Sequence, residues 1–207
     1  IDQLATWVLG VPERHCVGFG VVAAADIPAA RATWPRLRFF YEFGATEIAG
    51  LYVVGPDGTV FRLGYALGNE FSDHVTERQN YLYLAHSKLR VCAIGPELLL
   101  GDLPPDIRGT TRIVRDGQVV WEKPFLSGEA NMSHTLSNLE YHHFKYDGFR
   151  RPGDAHVHYF GTATLSFSDG FTTQAGDIFE VTAAPFGLPL RNRLVQAETK
   201  PVVVRGL

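Results

Sequence analysis

Residues 47–70 run EIAGLYVVGPDGTVFRLGYALGNE, and the fold follows from how this stretch divides. Glu47 to Val54 is apolar and β-branched, Gly55-Pro56-Asp57-Gly58 is a turn in composition, and Thr59 to Leu67 returns as a second apolar run. Two such runs across a short Gly/Pro/Asp turn form a β-hairpin. In a hairpin the start of the first strand lies beside the end of the second. Glu47 is therefore expected to approach Glu70, although 23 residues separate them. Two carboxylates brought together either repel or share a cation, and a hard ion such as Mg2+ takes oxygen ligands of this kind.

Beyond the hairpin, residues 67–99 read LGNEFSDHVTERQNYLYLAHSKLRVCAIGPELL. Here Glu70, Asp73, Glu77, His74, His86 and Lys88 stand among short apolar runs. Packing does not ask for so many ionisable groups, so the stretch is expected to form the floor of an active site. His74 and Glu77, at i and i+3, have the spacing of a helical pair.

Further out, Thr110 to Val114 and Gln118 to Trp121 flank Arg115-Asp116-Gly117, a strong hairpin signal. Met132, Leu136, Leu139 and His143 recur at helical spacing after Asn131, which predicts a helix covering a sheet. Arg151 to Asp154 is a turn, His156 to Phe160 alternates as a strand, Asp177 to Val181 is another, and Leu188 to Val195 ends the ordered fold. Before Pro35, helices are expected around Leu4 to Val11 and over Ile27 to Trp34, with a Gly/Ala/Val run between them. Many short strands with frequent turns and few helices predict a β-dominated α+β domain, a roll or barrel-like arrangement.

Composition narrows the function. At 207 residues, 45% of them hydrophobic, the chain suits one principal domain. A net charge of −3 without a basic run argues against nucleic acid as a partner. The sequence has no 18-residue apolar span and no signal peptide, and its two cysteines, Cys16 and Cys92, lack CxxC spacing. A cytoplasmic protein without a membrane partner is expected. Cys92 reads as a small buried hydrophobe. The chain starts at Ile1 rather than Met, so part of the natural N-terminus is expected to be missing.

Five motifs in order, GNEFSDH (68–74), GPEL (95–98), WEKPFLSGEANMSH (121–134), FGTATLSF (160–167) and LRN (190–192), cover the region from Glu47 to Val195. With them the chain resembles the fumarylacetoacetate hydrolase superfamily, most closely its sugar-acid branch. The resemblance implies a mixed β-roll with a few covering helices, divided as an N-terminal segment (1–36) and a catalytic domain (37–207). It implies metal ligands at Glu47 and Glu70, with Ala45 standing where the family has a further glutamate. It also implies an active-site lysine at Lys88, although strict counting back from Gly95 lands on His86. Ser72, Gly161 and Thr162 are the implied substrate-binding residues, with Thr162 donating to a substrate carboxylate, and His74 and Glu77 join Lys88 as catalytic candidates. The cofactor would be Mg2+, or Mn2+ or Ca2+, and the assembly a homodimer. The implied activity is dehydration or C–C hydrolysis of a 2-keto acid, probed first with 2-keto-3-deoxy sugar acids, through a metal-stabilised enolate.

Two other readings stand beside it. Through Ala45 the chain is a non-catalytic or truncated relative with an incomplete metal site. Alternatively His156 and His158, on one face of a strand, form a cupin-like metal site, although no glutamate follows at the spacing such a site needs.

Overall fold

A computed structural model of the chain describes residues 16–18, 46–196, 198 and 201–206. Both predicted N-terminal helices, and the residues that would define a separate 1–36 segment, lie outside them apart from a short strand β1 (Cys16–Gly18).

The first hairpin forms as its composition demands. Strand β2 (Glu47–Val54) pairs antiparallel with β3 (Val60–Asn69). In the turn, the Asp57 carboxylate accepts from the Thr59 amide at 3.0 Å and the Thr59 hydroxyl at 2.9 Å, as short polar turn residues do. A bulge falls between Leu51 and Tyr52. Opposite it, Gly64 has φ of +151°, and a Cβ there would collide with the Leu99 carbonyl oxygen. Glycine is what lets the neighbouring strand approach at that point.

The chain then makes two one-turn helices, α1 (His74–Glu77) and α2 (Leu84–Ser87). Strands β4 (Ala93–Ile94) and β5 (Glu97–Leu99) follow and return to the sheet. A second hairpin joins β6 (Ile107–Arg115) to β7 (Gln118–Ser127) through Asp116 and Gly117, with φ of 50° and 78°. Positive φ at both central residues is the turn whose twist matches a two-residue hairpin.

Helix α3 (Leu136–Phe144) starts at Thr135, whose hydroxyl accepts from the Asn138 amide at 3.2 Å. The expected start near Asn131 is four residues early. The Asn131 side chain instead ties a loop, donating to Asp106 and to the Ser127 carbonyl, each at 2.9 Å. Strands β8 (Ala155–Phe160), β9 (Ile178–Ala183) and β10 (Leu190–Arg193) complete the described fold.

The strands form two sheets. One has the order β1-β5-β3-β2-β8 with β4 attached to β3, the other β10-β9-β6-β7. Every pairing among the described residues is antiparallel. Ile48, Tyr65, Leu67 and Phe160 of the first sheet pack with Ile107, Phe125, Val181 and Leu190 of the second, and α3 adds Leu136. Such residues, almost wholly removed from water, are where truncation to alanine costs about 2–5 kcal/mol. The result is the expected β-dominated α+β roll. Among the described residues, no helix is long and apolar enough to cross a membrane.

Candidate active site

Strand β2 is central in its sheet and buried on nearly its whole length. Its first residue, Glu47, is fully buried and pairs in register with Gly68. Cross-strand partners share a face, so Glu70, two residues beyond Gly68, follows on the face that carries Glu47. Glu70 is also fully buried.

Their electrostatics are unequal. Lys88, the residue that ends α2, lays its ammonium 2.8 Å from Glu70 Oε2. Both carboxylate oxygens of Glu47 are buried with no hydrogen-bond partner among the described residues. Burial, and then the charge of Glu70, hold the Glu47 carboxyl well above the usual carboxylate range, with Lys88 opposing them. A carboxyl group in this state keeps a proton or takes a cation.

A second group of side chains faces the ammonium across a cleft of about 320 Å³ lined by Ser72, His74, Glu77, Lys88, Gly161 and Thr162. The helical turns that carry them are fastened locally. Asp73 caps α1, accepting from the Thr76 amide at 3.0 Å and from Arg90 at 2.5 Å. These donors hold the Asp73 carboxyl below its ordinary value although its partial burial pushes the other way. His74 Nδ1 lies 2.8 Å from Glu77 Oε2, and its ring stacks on Phe167 with centroids 4.8 Å apart. The pair fixes the imidazole and leaves Nε2 as its working atom.

Thr162 differs from what the resemblance implies. Its hydroxyl donates to the Thr46 carbonyl at 2.8 Å, fastening the exit of β8 to the entry of β2. Donation to a substrate requires that bond to exchange. Lys88 also differs in setting. It ends a helix and is buried, whereas His86, the residue that strict counting reaches, is exposed. Cys92 is partly buried, its thiol pushed up to about 12 by burial and then by Glu70 and Glu47.

A larger cleft, about 930 Å³, adjoins the first at Gly161 and Thr162 and is lined by Arg108, Asn131 and His134 among others. The titratable constellation lies in the smaller one. Size alone points away from the chemistry here.

Two features were not read from the sequence. Asn69, buried beside Glu70, donates to Asn192 Oδ1 at 3.0 Å, which gives the LRN motif a direct contact with the site. His143 of α3 meets His156 and His158 of β8, and one nitrogen from each of the three lies within 4.8 Å of the others. His143 had figured only as a helix position.

The carboxylates fit a divalent cation. Glu47 offers two buried oxygens that lack donors among the described residues, and Glu70 stands beside it. Ala45, the position of the further family ligand, lies outside the described residues.

No family model matches the chain, and no curated protein matches it significantly. Solved structures do. 2-Keto-3-deoxy-D-arabinonate dehydratase complexed with magnesium and 2,5-dioxopentanoate superposes with a TM-score of 0.60 at 23% identity, covering 79% of this chain and 60% of that one. The apo form of the same dehydratase gives 0.59 at 23% identity, covering 78% and 57%. The chain thus spans about 60% of the dehydratase's length. Across that span, the chain has the fold of the sugar-acid dehydratase, the fold that the fumarylacetoacetate hydrolase resemblance led one to expect.

Proposed function

We propose that the chain is a metal-dependent enzyme acting on a 2-keto acid, with 2-keto-3-deoxy sugar acids as the class to test first, by loss of water or by C–C hydrolysis. One observation carries the reading: Glu47, fully buried and with no hydrogen-bond partner for either oxygen among the described residues, stands beside the Glu70–Lys88 pair, and Lys88 lines a cleft that also holds the His74–Glu77 pair. The likeness to a dehydratase solved with magnesium and 2,5-dioxopentanoate agrees with this choice of ion and substrate class.

Glu47 and Glu70 would hold Mg2+, or Mn2+ or Ca2+. When bound, the ion draws charge off a 2-keto oxygen as negative charge develops there. The protein's own groups do the rest. Lys88 Nζ, an ammonium held by Glu70, would lay positive charge beside the developing enolate and, as the neutral amine after releasing a proton to solvent in the cleft, would take one from the carbon next to the keto group. His74, oriented by Glu77, stands across the cleft to protonate a departing hydroxyl at Nε2. Ser72 and Gly161 shape the walls, and Thr162 reaches the substrate carboxylate only after releasing the Thr46 carbonyl. A homodimer and a cytoplasmic setting belong to the same reading.

Paired 2-keto and 2-hydroxy sugar acids, assayed with Mg2+ and again with EDTA, test it. A hydroxyl offers no acceptor for developing charge, so discrimination should exceed roughly a hundredfold, at about tenfold per 1.36 kcal/mol. Equal turnover of a pair, or turnover indifferent to EDTA, sinks the reading.

A further inference from the structure

We propose that His143, His156 and His158 form a buried site for a zinc-class transition-metal ion, separate from the carboxylate site, which pins α3 onto β8. The placement follows from strand parity. His156 and His158 lie on one face of β8, opposite Tyr52 and Gly50 of β2 in register, which is the face away from Glu47. Helix α3 packs over it and lowers His143 between them.

The geometry suits ligation. His143 Nε2 and His156 Nδ1 are 3.1 Å apart, and all three donor nitrogens lie within 4.8 Å of one another. With Zn–N bonds of about 2.0–2.1 Å, two ligands on a tetrahedral ion stand roughly 3.4 Å apart. Two of the imidazoles already meet that spacing, and the third, within 4.8 Å, needs a shift of about 1.4 Å at most.

His158 supplies the independent observation. It is 1% exposed, and neither ring nitrogen has a hydrogen-bond partner among the described residues. A buried imidazole with both nitrogens idle carries a desolvation cost that a metal bond removes. Burial first, and then the neighbouring imidazoles, hold His143 at about 4 and His158 at about 3, so both rings are uncharged at neutral pH, the form that ligates.

The donor set selects the ion class. Three imidazoles suit zinc, copper, nickel or cobalt and not magnesium. Glu140, on the same helix as His143, is engaged by the Tyr52 hydroxyl at 2.9 Å and by Arg62 at 2.7 Å. The walls are aromatic. Phe144 stacks on His158 with centroids 5.2 Å apart, Phe149 stacks on His143 at 4.4 Å, and the Tyr52 ring lies 4.7 Å from His158. None of the three histidines lines either cleft. A site closed in this way anchors elements and does not turn over substrate, which separates it from the cupin-like oxygenase reading.

The test uses the full chain stripped with EDTA and titrated with Co2+ and then Zn2+. About one equivalent of cobalt should bind with the d–d absorption of a tetrahedral site, and zinc should displace it and raise Tm where Mg2+ does not. The signal should persist in the Glu47→Gln, Glu70→Gln double variant. It should weaken in His158→Phe by more than the roughly 10–100-fold that changes outside the ligand shell cost. If His158→Phe does not fold, His143→Gln at the half-buried helix position serves in its place. Absence of tetrahedral cobalt in the wild type overturns the proposal. So does a signal that survives both histidine variants or vanishes only with the glutamates.

Discussion

Among the buried acids, Asp177 and Glu47 are treated in opposite ways. Asp177, 1% exposed, receives Arg115 Nε at 2.8 Å, Arg115 Nη2 at 2.9 Å and the Gln174 amide at 2.8 Å. These donors, Arg115 first, hold its carboxyl below the usual value. Glu47, 0% exposed, receives none among the described residues, and its carboxyl is held above the usual value. The first acid closes a loop onto β6. The second is a local violation of good packing, of the kind that folded proteins retain where a ligand completes the structure. Burial of an acid is thus uninformative by itself; what differs between these two is their supply of donors.

The sharpest way to break this comparison is Glu47→Gln. Loss of an anionic ligand at the reacting centre should lower kcat/KM on the 2-keto acid by about a hundredfold or more. The amide needs no cation, so Tm should stay the same or rise. A large loss of Tm with activity retained would make Glu47 a structural acid after all. Next in size, Asp177→Asn leaves Arg115 without its counter-charge and should cost about 2–3 kcal/mol in urea unfolding while kcat stays within about twofold of wild type. An equal fall in activity would show that the two sheets are not separable. The smallest effect is in acid. Because the folded Asp177 value is depressed, its stabilisation is complete above the ordinary value of 3.8 and is lost as pH falls through the lower folded value. Below about pH 4, stability of the wild type should therefore fall more steeply than that of Asp177→Asn.

Much of the first sheet was legible because a hairpin is a local object. The Gly55 to Gly58 turn and its flanking apolar runs lie within 24 residues, and the register that joins Glu47 to Gly68 follows from them. The Asp116-Gly117 hairpin was legible for the same reason. Misreadings arose where a distant partner took over a side chain. Asn131 suggested a helix start, yet Asp106 and Ser127 claim its amide. Counting back from Gly95 pointed to His86, yet His86 is exposed, and Lys88, buried at the end of α2, is the one that reaches Glu70. His143 belonged to a helix pattern and its two partners to a strand pattern, so only tertiary packing joins them. Asn192 is likewise 123 positions from the residue it holds.

Strand β7 ends its sheet, with β6 on one side and no strand on the other among the described residues. Unpaired backbone of that sort invites a second copy to add itself as a further strand. Here Pro124, paired with Thr110 of β6, offers no amide to an incoming strand, and the neighbouring side chains are the exposed charges Glu122 and Lys123. Sheet-to-sheet zippering of two molecules along this border is opposed both by a missing donor and by the desolvation of two ions. If the chain self-associates, β7 should therefore not be the strand through which it does so, and this border is left to water.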